Sequence, residues 1–305
     1  MRTLKVGTRR SQLALWQAEW VKAQVERSFP QLEVEVVTLD TKGDLDLATP
    51  LPSVADKGFF TVEIEQALLA REIDVAVHSL KDLPTVLPAG LRIGAYGSRA
   101  DAHDVFLSRD GTPLARLPEG ARVGTSSLRR TAQIKRLRPD LACVELRGNL
   151  NTRWRKLQEG HAAGIVLAAA GVERLGWQDR VTEAFPFDAM LPAPGQGVIA
   201  VECAEDRPEV LEVLRCVNHE ASERAARAER AFLGALEGGC QTPLGAHATC
   251  ARGAITLDAA VFGLGGERCV RVSVSGPDPE DVGAQAARAA LRRGADEIMR
   301  DVRAM

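Results

Sequence analysis

No run of about 18 apolar residues occurs in the chain, so none of it is long enough to cross a bilayer as a helix. The opening stretch MRTLKVGTRRSQLALWQAEW also lacks an apolar core of signal-peptide length, which points to a cytoplasmic protein with no membrane partner. The six cysteines (Cys143, Cys203, Cys216, Cys240, Cys250, Cys269) form no C-x-x-C pair or other metal-like spacing. No metal is expected, and in a reducing compartment most of these thiols are small core residues. Lysine is scarce: 7 of the 39 basic residues, with none after Lys156, against 32 arginines. Part of that bias is genome composition, so one arginine here is weaker evidence of a carboxylate site than it would be in a lysine-rich protein. Few aromatics (4%) and a net charge of −2 argue against a nucleic-acid binder, which needs a basic surface and stacking platforms.

What is present describes a globular α/β protein. The chain has 305 residues, 45% of them hydrophobic and 26% charged, which predicts two or three domains. Residues 3–8 read as a buried strand, followed by a helix from Ser11 with Leu13, Trp16 and Trp20 on one face, then an alternating strand at 33–36: a β-α-β unit. Residues 41–58 are rich in Gly, Pro and Asp and have no period, so they read as a long loop. Next come a helix with Thr61 as N-cap, a strand over 73–79, the loop LKDLP and a strand near LRIGAY. A second α/β block starts near 98, with strands DVFLS, ARVGT, ACVEL and GIVLAAA and helices SLRRTAQIKRL and NLNTRWRKLQ. The strand VIAVEC, isolated behind the Pro- and Gly-rich run PFDAMLPAPGQG, is expected to return to the first sheet. From about Asn218 a long helix, three short strands and an Ala-rich helix read as a small α+β section.

Positive charge is concentrated between Ala121 and Lys156, where eight Arg and two Lys face only Asp140 and Glu145. Within that stretch GTSSLRR (124–130) puts a Gly and three hydroxyl residues where a strand turns into a helix, a place that favours anions. RGNLNTR (147–153) marks a second such junction. An arginine fork grips a carboxylate through two parallel hydrogen bonds, whereas Arg136, Arg138 and Arg155 fit a solvated basic helix face. The loop HSLKDLP (78–84) stands at the carboxyl end of an apolar strand, where open α/β sheets bind ligands. There Asp82 beside Lys81 is either a plain turn or a carboxylate that can steady a developing cation, and His78 reads as a strand-end residue. In LEGGCQTPLGA (236–246) Cys240 is either a small thiol in a tight turn or a nucleophile or attachment point.

In this order GTRRSQLALWQA (7–18), KGFF (57–60), HSLKDLP, GTSSLRR, LRGNLNTR, LAAAGVERLG (167–176), PAPGQG (192–197) and LEGGCQTPLGA resemble the porphobilinogen deaminase family over most of residues 4–250. Gln12 departs from the Pro common at that place, with either residue suiting a helix start. The resemblance implies a transferase of tetrapyrrole (haem) biosynthesis that condenses four porphobilinogen molecules, with loss of ammonia, into the linear tetrapyrrole hydroxymethylbilane on motifs centred on Asp82 and Cys240. It implies a dipyrromethane cofactor held by a thioether to Cys240, with Lys81, Thr125, Ser127, Arg129, Arg130 and Arg147 on the cofactor carboxylates. Arg9, Ser11, Arg153 and Arg174 would hold the incoming substrate, with Phe60 and the 41–58 loop as a lid, Gln196 at a hinge and Asp82 as the catalytic carboxylate. The implied fold is two lobes like those of periplasmic binding proteins, residues 1–97 with 198–217 and residues 98–197, plus a small α+β section over 218–305 with a three-stranded antiparallel sheet. The family expectation is a monomer. The rival reading is a non-catalytic two-lobed protein that clamps an anionic metabolite.

Overall fold

The computed structural model describes residues 2–41, 61–236 and 242–303. Residues 42–58 of the expected loop, Phe60 and Cys240 lie outside the described residues. In chain order the first elements are β1 (Thr3–Arg9), α1 (Gln12–Ser28), β2 (Glu33–Leu39), α2 (Val62–Leu69), β3 (Val75–Ser79) and β4 (Leu91–Tyr96). Next are β5 (Asp104–Ser108), β6 (Arg122–Gly124), α3 (Leu128–Leu137), β7 (Ala142–Val144), α4 (Leu150–Gln158), β8 (Gly164–Ala168), α5 (Ala169–Arg174) and β9 (Glu183–Ala184). The chain continues through β10 (Ile199–Ala204), α6 (Pro208–Leu214), α7 (Glu220–Ala235), β11 (Leu244–Ala251), β12 (Ala254–Phe262), β13 (Cys269–Gly276), α8 (Pro279–Arg292) and α9 (Ala295–Arg303). They form two compact units: residues 1–100 with 197–224, and residues 101–196 with 225–305.

In the first unit β1 and β2 pair in parallel across α1, completing the β-α-β unit, and β3 pairs in parallel on the other side of β1. Ser11 has extended backbone and its hydroxyl accepts from the Ala14 amide at 3.2 Å, which starts the helix. The buried face of α1 is Ala14, Gln17, Ala18, Val21 and Val25; of the expected Leu13–Trp16–Trp20 stripe, Trp20 packs half-buried against that core, whereas Trp16 is 39% exposed. Small alanines let the helix approach the sheet closely, and that decided the face over side-chain size. Thr61 precedes α2 as expected but makes no cap hydrogen bond; its hydroxyl bonds the Glu65 side chain instead. VIAVEC does return: β10 lies antiparallel between β3 and β4, giving the order β2-β1-β3-β10-β4.

The second unit repeats this plan. Its larger sheet runs β7-β6-β8-β5-β9, with β6 parallel to β7 and β8, and β5 antiparallel to β8 and β9. Strand for strand it is the same order, with β5 in the place that β10 takes in the first sheet. The three-stranded sheet β11-β12-β13 is antiparallel and packs its inner face against Phe232 of α7 and Val282, Ala286 and Ala290 of α8. Ala260 and Phe262 of β12 also meet Ala132 of α3 and Leu191, so the helix that carries the paired arginines is clamped from behind.

Candidate functional site

In a parallel sheet, residues that follow each strand emerge at one edge, and each unit brings its candidate residues together in that way. In the first unit β1 and β3 are parallel neighbours, so Arg9 at the end of β1 and Ser11 just after it share an edge with Lys81 and Asp82 after β3. Asp82 is exposed on the single 3₁₀ turn Leu80–Asp82 and Lys81 is half-buried. The turn is anchored where the Leu80 amide donates to the Val198 carbonyl at 3.0 Å and where Gln17 Nε2 donates to Ser79 Oγ at 2.8 Å. The Ser11 hydroxyl is already engaged as the α1 cap.

In the second unit the same edge carries Thr125 and Ser127 after β6, Arg147 and Arg153 after β7, and Arg174 after β8. Arg129 and Arg130 open α3 and are almost fully buried, at 4% and 5% exposure. Both turn onto Asp104, the first residue of β5. Arg129 Nη1 donates to Asp104 Oδ2 at 2.6 Å and Arg130 Nη2 to Oδ1 at 2.7 Å. Gln196 Nε2 donates to the same Oδ1 at 2.9 Å and to the Ala102 carbonyl at 2.8 Å. Burial alone would push the Asp104 carboxyl up, but the two guanidiniums outweigh it and hold the group well below the usual carboxylate range.

One carboxylate against two guanidiniums leaves this buried cluster with surplus positive charge, which a bound anion would balance. Beside it the Ser127 hydroxyl caps α3 by accepting from the Arg130 amide at 3.4 Å. The buried Ser126 Oγ has no hydrogen-bond partner among the described residues, so of the two serines Ser126 has the unused capacity. Thr125 Oγ1 accepts from the Ser127 amide at 3.2 Å. A surplus cation next to an orphaned hydroxyl is a donor set that suits a carboxylate-bearing cofactor.

At the second junction Asn149 caps α4 through the Thr152 amide at 3.0 Å, and Arg153 Nε donates to the Gly148 carbonyl at 2.8 Å. Gly148 has φ +115 and a Cβ there would stand 2.6 Å from the Thr152 side chain, so this turn needs glycine. Arg147 Nε stands 3.6 Å from Glu145 Oε1. Half-buried Arg174 is pulled down to about 10 by loss of solvent, which still leaves it charged at neutral pH. Of the three arginines expected on a solvated helix face, Arg138 is instead half-buried and structural, while Arg136 and Arg155 are exposed. Arg138 ties Asp140 to the carbonyls of Leu114, Ala115 and Leu117, Arg136 reaches the Gly266 carbonyl, and Arg155 is exposed beside Glu159.

The sequence reading missed Asp104 and counted Ser126 only as one of three hydroxyls at the turn, with no role of its own. Asp104 is an ordinary strand-starting residue in DVFLS, and its partners lie 25, 26 and 92 positions away. The sequence offered only an acid at the head of a short buried strand, with no arginine beside it to mark the pairing.

The chain matches the sequence profile "Porphobilinogen deaminase, dipyromethane cofactor binding domain" over residues 4–212 and "Porphobilinogen deaminase, C-terminal domain" over residues 224–292. A porphobilinogen deaminase of Desulfitobacterium hafniense is 56% identical over 303 residues, covering 99% of this chain and 98% of its own. One of Carboxydothermus hydrogenoformans is 49% identical over 300 residues, covering 98% of this chain and 96% of its own. Among solved structures, the periplasmic VFT2 domain of BvgS from Bordetella pertussis aligns with TM-score 0.44 at 14% identity, over 71% of this chain and 86% of that one. With two profiles spanning 4–212 and 224–292 and near-full-length relatives about half identical, the chain belongs to the porphobilinogen deaminase family of transferases.

Proposed function

We propose that the chain condenses porphobilinogen head to tail into hydroxymethylbilane, with its own side chains in the following roles. Arg129, Arg130, Arg147, Lys81, Thr125 and Ser127 hold the carboxylates of a dipyrromethane, tethered by a thioether to Cys240. When bound, that group supplies the primer, a pyrrole with a free α-carbon. Arg9, Ser11, Arg153 and Arg174 hold the acetate and propionate of the arriving porphobilinogen, and Phe60 and the 41–58 loop cover it. Each porphobilinogen loses its amine as ammonia, breaking the C–N bond and leaving a cation shared with the ring nitrogen. Asp82 steadies that charge and takes up the proton released when the new C–C bond forms. After the fourth addition water breaks the bond between primer and new chain, its oxygen becoming the hydroxymethyl group of the product. Gln196 ties the crossover segment to Asp104 and so serves as a hinge residue.

The observation that carries this reading is the buried Arg129–Arg130–Asp104 cluster, whose surplus positive charge calls for an acidic ligand. A protein that only clamps an anion would use such a cluster too, but would need no exposed Asp82 and no tethering cysteine. The three-section partition (1–97 with 198–217, 98–197, 218–305) is supported by one sheet in each section. We place the enzyme in the cytoplasm as a monomer without membrane or nucleic-acid partners; separately, none of the described helices is long and apolar enough to cross a membrane. The test is intact mass spectrometry. The purified protein is expected to exceed its sequence mass by a two-ring pyrrole adduct that Cys240→Ser lacks; an active wild type without the adduct would overturn the tether.

A further inference from the structure

The apolar cluster between α2 and the first sheet encloses three buried ionisable groups that the reaction above does not use. Alternation along β10 sends Ile199, Val201 and Cys203 to the α1 face and leaves Glu202 and Ala204 on the α2 face; β3 likewise sends Val75 and Val77 to one side and Ala76 and His78 to the other. Glu202 is 0% exposed, Glu65 on α2 6% and His78 7%. His78 Nε2 stands 3.1 Å from Glu202 Oε2, and Glu65 is near enough to feel the charge of both. Glu202 Oε1 and Glu65 Oε1 are buried without a hydrogen-bond partner among the described residues. The ladder between β10 and β4 slips at Val201/Glu202, leaving Gly94 unpaired. Bulges of this kind re-aim side chains next to active sites.

Two buried carboxyl groups beside one imidazole bring more acceptor oxygens than the ring has N–H donors, and one oxygen of each is left without a donor among the described residues. The cheapest arrangement keeps a proton on the second carboxyl group, where it removes a buried charge and supplies the missing donor. Burial raises the Glu65 carboxyl above the ordinary glutamate range, and Glu202 adds to the shift against the opposing pull of Thr61 and His78. Other charged groups on the packed elements are Glu63 on α2, Lys5 and Arg9 on β1, Glu33 and Glu35 on β2, Asp74 ahead of β3, Arg92 on β4 and Arg207 ahead of α6. Asp74 and Arg207 pair with each other at 3.0 Å.

We infer that Glu65, His78 and Glu202 form a proton-sharing clamp that fixes the end of β3, making His78 and Glu202 positioning residues for the Lys81–Asp82 turn. The chain from Val198 through β10 grips that turn at two points: the Val198 carbonyl holds the Leu80 amide, and Glu202 holds His78 two residues upstream. The inference rests on Asp82 being the working carboxylate.

The test uses holoenzyme. Glu202→Gln keeps the shape and removes the charge; kcat for porphobilinogen consumption should fall roughly tenfold, the kinetic equivalent of one charge-assisted hydrogen bond. KM and the pyrrole adduct mass should be retained while the pH profile of kcat shifts. Glu65→Gln is read by melting temperature against pH, independently of turnover. A carboxyl group whose pKa is raised on folding gives stability that is complete below the ordinary glutamate range and lost as pH rises through the folded value. The wild type should lose stability across that window, and Glu65→Gln, fixed in the neutral form, should not. Wild-type kcat and pH profile in Glu202→Gln would overturn the clamp, as would a Glu65→Gln melting curve parallel to the wild type. If Glu202→Gln does not fold, Glu65→Gln decides alone. Full turnover in Asp82→Asn would sink the reading of Asp82 while leaving the Glu65→Gln result standing, so the two failures are told apart.

Discussion

The two larger sheets share one strand order and each buries a carboxylate at 0% exposure on its fourth strand, the one that runs antiparallel to its neighbours, yet the two carboxylates meet opposite surroundings. Glu202 on β10 shares its pocket with another acid and a histidine, whereas Asp104 on β5 is held by two arginines and a glutamine. One scaffold therefore supports an acid-rich interior behind the turn that carries Asp82 and a cation-rich interior behind the turns that carry the carboxylate-binding groups. The sheet decides where a side chain emerges; the buried partners decide its charge.

This contrast can be broken in four places. The largest effect is expected from Asp104→Ala, which leaves two buried guanidiniums without their carboxylate and should cost about 3–5 kcal/mol in urea unfolding. A loss below about 1 kcal/mol would show that the arginines are solvated after all. In the wild type Asp104 has the opposite pH sign to Glu65: held low, it contributes stability above the ordinary aspartate range that is lost as pH falls through roughly 4 and below. Next, Asp82→Asn should lower turnover about a hundredfold or more while leaving stability within about 0.5 kcal/mol, because the residue is exposed on a turn. Equal losses of turnover and stability would make Asp82 a structural residue.

Gly197→Ala tests the crossover back into the first unit. Gly197 has φ +87 and a Cβ there would lie 2.5 Å from the Ala100 carbonyl oxygen. The expected cost is about 1–3 kcal/mol by thermal melting. The smallest effect belongs to Arg155→Ala, whose exposed partner Glu159 is 3.5 Å away. It should change stability by less than about 0.5 kcal/mol and leave adduct mass and turnover alone, showing that membership of the arginine-rich stretch does not make a residue part of the site.

Much of the fold was legible because its signals are local. Apolar runs bounded by Gly and Pro marked the strands, Ser11, Ser127 and Asn149 marked helix starts that they do cap, and the isolated VIAVEC run pointed back to the first sheet. Local signals also misled. Trp16 dominates the apolar pattern of α1, but packing against the sheet selected the smaller Ala14 and Ala18. Asp104 and Glu202 carried no local mark, since the side chains that pair with them lie 25 to 124 positions away.

By itself the sequence determined the family, the α/β plan and the motifs that follow each parallel strand, because those depend on residues a few positions apart. Only the tertiary structure decided which charges are buried, which are balanced and which keep a surplus. Burial and pairing arise from side chains 25 to 124 positions apart, and the energy of a charge out of water is set by such neighbours.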